Sequence, residues 1–262
     1  MDEVLGVPVH SGLVSTWRGW FAPPVQPFPV HFLRPDVAAG IPDQRVEPTA
    51  EWVDTFFMYT GTWTWLDEPG FAALTPGRRR SLLAARRKST RPKKVISVWP
   101  SELDAAGDQL MFDWISSGVR PSQHRSVSAG VWDRADRLVP GARRLAGSFA
   151  TSGSGPNCFG TVMAAAGEPV EDQQIPPLAF RTWLHSHSEP IEGTRHDADP
   201  GVVFVWTEHG ELAHATVTIG AGWMLTKPSQ SWSSPRMIWN VRDAVNSWRY
   251  PDTRISRHRL RR

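Results

Sequence analysis

The lone cysteine of the chain, Cys158, stands in Ser152-Gly153-Ser154-Gly155-Pro156-Asn157-Cys158-Phe159-Gly160, a Gly/Ser/Pro loop that runs into the apolar stretch Val162–Ala166 and closes at Gly167. This pattern predicts a helix with Cys158 in its first turn and Ser154 or Asn157 as its cap. First-turn N–H groups and the positive end of the helix dipole favour a thiolate, which would lower the thiol pKa from its usual value of about 8.5. The same N–H groups can face a developing oxyanion. A nucleophilic thiol needs a base, and His214 offers one. Asp199-Pro200-Gly201 leads into the β-branched run Val202–Trp206, and Leu212–Ile219 reads as a second strand with His214 near its start. Gly220-Ala221-Gly222 then turns the chain into Trp223-Met224-Leu225-Thr226.

This ordered set resembles the NlpC/P60 superfamily of papain-like cysteine peptidases and amidases. It comprises Cys158 at a loop-to-helix step, Pro-Gly before a strand, Ala213-His214-Ala215 opening the next strand, and Gly222-Trp223-Met224-Leu225-Thr226-Lys227-Pro228-Ser229 behind a glycine turn, over about residues 140–250. The resemblance implies Cys158 as nucleophile and His214 as the base that takes its proton and returns it to the leaving group. The family's third polar residue, often a histidine, falls here on Thr226. A threonine hydroxyl can hold a ring nitrogen but stabilises an imidazolium less than a carboxylate does. Ser229 and Gln230 are the alternatives for that role, and Asn157 is a candidate oxyanion donor beside the Cys158 N–H. The implied reaction is acyl transfer on an amide or peptide bond through a thioester, with no cofactor. Water as acceptor gives a peptidase or amidase, and an amine gives an amide-forming transferase or transpeptidase.

Two other classes compete. His185, His187 and His196, with Asp197 and Asp199, place imidazoles and carboxylates in a short span that could ligate a metal for hydrolysis. If His185 and His187 lay on a strand they would share a face, although the spacing matches no strong zinc motif. A catalytically inert binding module with a papain-like fold is the other alternative, and the threonine at 226 favours it.

Composition sets bounds on these readings. With 262 residues, 40% hydrophobic and 21% charged, the chain can bury a full core. One cysteine excludes an internal disulfide framework and a cysteine zinc site. The start, Met1-Asp2-Glu3-Val4-Leu5, has no basic segment before a long apolar core, and no window matches a membrane span, so a cytoplasmic bacterial protein without a membrane partner is expected. A formal charge of +3 is mild. The basic block over 78–94 reads as a solvated helix face or a dock for an anionic or carrier-bound substrate, rather than a nucleic-acid site.

The expected architecture is α+β, a papain-like (NlpC/P60-like) core with the cysteine-bearing helix packed on an antiparallel sheet. Residues 1–70 form a Pro/aromatic-rich N-terminal extension packed on the core, in which 1–50 is an irregular arm with a short edge strand at Val30–Leu33, and 71–262 form the catalytic domain with its leading helices. Short helices are expected at 51–59, at 74–88 with Thr75 as cap and Pro76 first, at 108–116 and at 242–248, with a helix pair broken at Pro140-Gly141. Further strands are expected at Val95–Trp99, beside Met237 and at the C-terminus.

Overall fold

The computed structural model describes residues 2–90, 94, 96 and 98–261. Its contacts divide the chain into two compact units, Met1–Val4 with Val9–Arg120, and Leu5–Pro8 with Pro121–Arg262. The main division falls at Arg120/Pro121. In chain order the first part contains β1 (Asp2–Val4), β2 (Val7–Val9), α1 (Ser11–Phe21), β3 (Val25–Pro29), α2 (Pro35–Ala38), α3 (Ala50–Phe56), β4 (Trp63–Asp67), α4 (Glu68–Ala73), α5 (Pro76–Ser89), α6 (Pro100–Ala106) and α7 (Gln109–Ser116).

The first fifty residues are therefore not an irregular arm. Between Pro8 and Pro23 the sequence has no proline, and Leu13, Val14, Trp17 and Phe21 recur at helical spacing and are all buried. His10 Nδ1 caps α1 by accepting from the Leu13 N–H at 3.2 Å. The strand lies at Val25–Pro29, not Val30–Leu33, and pairs antiparallel with β4. It tolerates Pro27 and Pro29 because a two-stranded ribbon has an open edge on each strand. Helix α5 starts as expected, with Thr75 Oγ1 accepting from the Arg78 N–H and Pro76 in the first turn. One face differs, because Leu82, Ala85 and Arg86 share a side at helical spacing, and all three are buried. Of the expected strand Val95–Trp99, Val95 and Ser97 lie outside the described residues, as do Arg91 and Lys93 of the basic block.

The second unit contains α8 (Ala129–Ala135), α9 (Ala142–Leu145), α10 (Cys158–Ala165), α11 (Pro177–His187), β5 (Ser188–Ile191), β6 (Pro200–Glu208), β7 (Glu211–Gly220), β8 (Trp223–Thr226), β9 (Met237–Asn240), α12 (Val241–Ser247) and β10 (Thr253–Leu260). Its six strands form one antiparallel sheet in the order β5-β10-β6-β7-β8-β9. Two two-residue loops set the β6–β7 and β7–β8 hairpins. His209-Gly210 and Ala221-Gly222 each have φ between 50° and 86°, the left-handed pair of a type I′ turn that matches strand twist. Strand alternation then sorts the side chains. Val203, Val205, Ala215, Val217, Ile219, Leu225 and Ile238 join one core with Val131 and Trp132 of α8, Val162 and Ala165 of α10, and Phe180 and Trp183 of α11. Phe204, Trp206, His214, Thr216 and Met224 occupy the alternate positions. The chain is thus an α+β protein, and among its described residues no helix is long and apolar enough to cross a membrane.

Candidate functional site

Asn157, not Ser154, caps α10. Its Oδ1 accepts from the Gly160 N–H at 3.0 Å and the Ile175 N–H at 3.3 Å, while Nδ2 donates to the Ile175 carbonyl at 2.8 Å. A cap of this kind is worth about 1 kcal/mol. Both ends of the amide are engaged, Nδ2 with one of its two N–H groups. The 170–175 segment crosses close to the helix at Gly160, where a Cβ would meet the Gln173 carbonyl oxygen at 2.8 Å. The preceding loop is tied to the segment after β8 by the Gly155 N–H donating to the Gln230 carbonyl at 3.1 Å and by the Trp232 N–H donating to Ser154 Oγ at 3.1 Å.

Cys158 is half-buried at the head of α10 and packs against the core. Asn157 takes the Gly160 N–H with its side chain and the Thr161 N–H with its carbonyl. The N–H groups of Cys158 and Phe159 remain, and both favour charge on the Cys158 sulfur. The Ala215 N–H acts on the same sulfur. It can do so because β7–β8 pairing ends at Val217↔Leu225, leaving the edge of β7 open at Ala215. Burial nevertheless dominates and pushes the thiol up to about 11, against these three N–H groups and the nearby Lys227 ammonium, which pull it down. The expectation of a lowered thiol pKa is therefore reversed, since desolvation of the anion outweighs the helix-end donors.

His214 is 1% exposed. Its ring stacks on Trp248 with centroids 4.2 Å apart and planes 5° apart, and the Trp206 ring lies 5.3 Å away on the paired position of β6. Nε2 lies 3.4 Å from Thr226 Oγ1. Burial pushes the imidazole down to about 3, so it is neutral. Thr226 is the residue that reaches the ring. Ser229 and Gln230 are occupied otherwise: Ser229 Oγ accepts from the Ser231 N–H, and Gln230 Oε1 accepts from Gln174 Nε2.

The structure brings His214 and Thr226 together and sets Cys158 against Ala215, the residue that follows His214. It does not join thiol to imidazole directly, and no hydrogen bond links them among the described residues. Strand parity is the reason. Ala215 faces α10 whereas His214 occupies the alternate position, so the two groups meet the open end of β7 from different sides. Lys227 and Trp248 were not picked out from the sequence. The signal for Lys227 was a lysine two positions after Leu225 in an otherwise apolar run; Trp248 gave none.

The histidine cluster does not assemble. His185 and His187 lie on α11, not on a strand, and residues two apart on a helix point in different directions. His187 Nδ1 donates to the Trp183 carbonyl at 2.9 Å. His196 Nε2 accepts from Arg195 Nε at 2.8 Å and its Nδ1 contacts Asp199 Oδ2 at 2.7 Å, so both ring nitrogens are engaged. Among the described residues no group of three or more His, Cys, Asp or Glu is arranged to hold a metal ion. An open depression of about 620 Å³ lies at the other end of α10, beside Gly141, Arg144, Glu171 and Asp172, and includes none of the expected site residues. No protein-family model matches the chain, and neither a curated protein nor a solved structure does.

Proposed function

We propose that the chain carries out thiol-dependent acyl transfer on an amide or peptide bond at Cys158, on the papain-like core that the resemblance implies. The observation that carries this reading is the place of Cys158 in the first turn of α10 and against the core that contains Ala215 of β7, where the N–H groups of Cys158, Phe159 and Ala215 favour charge on its sulfur. Such a constellation stabilises negative charge, first on sulfur and then on the oxyanion of a tetrahedral intermediate. In the tautomer that carries its proton on Nε2, His214 donates to Thr226 Oγ1 and presents the Nδ1 lone pair. The reading requires thiol and Nδ1 to approach each other on substrate binding, since in the resting chain the two groups meet β7 from different sides.

The thiol proton passes to Nδ1 as sulfur bonds to the carbonyl carbon. The imidazolium then gives that proton to the leaving amine, the C–N bond breaks, and a thioester remains. Water or an amine resolves it, giving hydrolysis or transfer with the same residues. At rest the pair is uncharged, because burial favours the neutral form of each partner.

The test exposes native protein to activated acyl donors, such as aminomethylcoumarin amides and p-nitrophenyl esters, with intact mass as readout. A hydroxylamine-labile adduct on Cys158 is expected, absent in Cys158→Ala and formed about 10²-fold or more slowly in His214→Ala. A native thiol that takes no acyl group from any donor overturns the reading. A second reading, an inert papain-like binding module, is favoured by the closure of His214 between Trp206 and Trp248, and it predicts partner binding that survives Cys158→Ala.

A further inference from the structure

The two indoles that meet the His214 ring are held in different ways. Trp206, 5.3 Å away, pairs with His214 across β6 and β7 and is wholly buried, so the sheet fixes its place. Trp248, stacked at 4.2 Å with planes 5° apart, lies outside the sheet, immediately after α12, and is half-buried. Its backbone anchorage is light. Of α12 only Ala244 is buried. The bonds around the turn, from the Trp248 N–H to Val245, Arg249 N–H to Asn246, Tyr250 N–H to Trp248 and Thr253 N–H to Tyr250, are between 3.2 and 3.4 Å long, at the weak end of the range. Tyr250, half exposed, meets the indole edge-on at 5.8 Å, and among the described residues the Trp248 indole N–H makes no hydrogen bond. The indole therefore lies on the imidazole without a directional tie.

What the stack restrains is the direction of the imidazole. Pairing of β7 with β8 ends at Val217↔Leu225, so β7 has an open edge beside His214 and Ala215. Helix α10, which begins at Cys158, packs on β7 from the Ala215 side. A step between staggered rotamers about the Cα–Cβ bond carries the ring from its own face toward that edge, and this step breaks the stack with Trp248. The closed arrangement also leaves a donor unmet. Trp206 Nε1 is buried without an acceptor among the described residues, a group that water or a substrate carbonyl would pair.

We infer that Trp248 is a positioning residue that gates the acyl transfer: stacked on His214 it holds the imidazole on the face of β7 away from α10, and its withdrawal frees the ring to meet the thiol at the open edge. The inference rests on the proposed use of Cys158 and His214 in that reaction. It accounts for the separation of the two groups in the resting chain, and it makes the burial of the imidazole a closed state rather than the mark of an inert site.

The experiment uses the full chain as wild type, Trp248→Ala, Trp248→Phe and the double variant Trp248→Ala/His214→Ala. Two rates are read by mass spectrometry, carbethoxylation of His214 by diethyl pyrocarbonate and acylation of Cys158 by a p-nitrophenyl ester. With an open state of about a tenth of the wild-type population or less, Trp248→Ala should raise both rates about tenfold or more. The acylation gain should vanish in the double variant. Trp248→Phe, which keeps an aromatic plane on the imidazole, should stay near wild type in both rates. Should Trp248→Ala not fold, Trp248→Leu, apolar but without a plane, takes its place. A His214 that stays protected in the folded variant overturns the inference, as does an exposed His214 with no gain in acylation. In either case a His214-dependent adduct in wild type leaves the acyl-transfer reading standing. No adduct in any of the chains, with His214 exposed by Trp248→Ala, overturns that reading itself.

Discussion

Arg86 in the N-terminal unit and the Lys227 end of β8 in the C-terminal unit both enclose a cation in backbone carbonyls, but with different neighbours. Arg86 Nη1 donates to Gln26 Oε1 at 3.1 Å and the Ile96 carbonyl at 2.9 Å, and Nη2 to the Pro27 carbonyl at 2.7 Å. Its guanidinium lies 3.8 Å over the Phe28 ring. Among the described residues no ion pair reaches it, and burial pushes it down to about 9. Its whole effect is to tie α5 to β3 and the stretch around Ile96. Lys227 donates to three backbone carbonyls and its charge acts on an ionisable sulfur, whereas Arg86 Nε is buried without an acceptor among the described residues. His214, beside it, shows the opposite outcome: a base offered one hydroxyl and two indoles stays neutral. What separates the three bases is the supply of acceptors at equal burial, because a buried charge survives only where lone pairs replace water. What separates Arg86 from Lys227 is whether the charge acts on an ionisable sulfur.

The largest effect that could break this contrast is acid-linked. His214 holds a folded pKa near 3 against about 6.5 unfolded, so below pH 6.5 the unfolded chain binds the proton first. Its contribution to stability is complete above pH 6.5 and is lost progressively down to pH 3, by up to about 5 kcal/mol. Urea unfolding at pH 7, 5 and 3.5 should show that loss in wild type and a flatter slope in His214→Gln. Equal slopes would mean that the imidazole is not held neutral.

Next in size, Arg86→Met strands Gln26 and two carbonyls and should cost about 3–5 kcal/mol by urea unfolding, without altering the alkylation rate of Cys158. A changed rate would erase the distinction between a structural and a chemical cation. Smallest is Thr226→Val. The 3.4 Å contact is long, so its loss should slow acylation only about threefold, corresponding to under about 1 kcal/mol. A loss as large as that of His214→Ala would make Thr226 a full partner in the proton transfer.

Local chemistry in the sequence was readable where the signal and its consequence lie within a few residues. Thr75-Pro76 starts α5, Asn157 starts α10 and Ala221-Gly222 turns β7 into β8, each by a cap or a positive φ that depends on its own segment. Reading the proline-dense first fifty residues as an arm missed α1, because proline density was averaged over a stretch whose helix lies between the prolines. Arg86 was placed with its charged neighbours on a solvated face, since a helix repeat cannot say which side meets Gln26 and Phe28, far away in the chain.

The candidate site divides in the same way. The sequence by itself determined that Cys158 heads a helix, that His214 stands in a strand of the hairpin, and that Thr226 lies on the strand after the glycine turn. Only the tertiary structure decided that Thr226 rather than Ser229 or Gln230 meets the imidazole, that Asn157 also ties α10 to Ile175, and that the Lys227 ammonium is enclosed by the carbonyls of Ser229, Ser231 and Ser234. It also decided the resting protonation of both partners. Helix-end donors are local and favour a thiolate, whereas desolvation is set by every group packed around the sulfur and the ring, and here the nonlocal term wins.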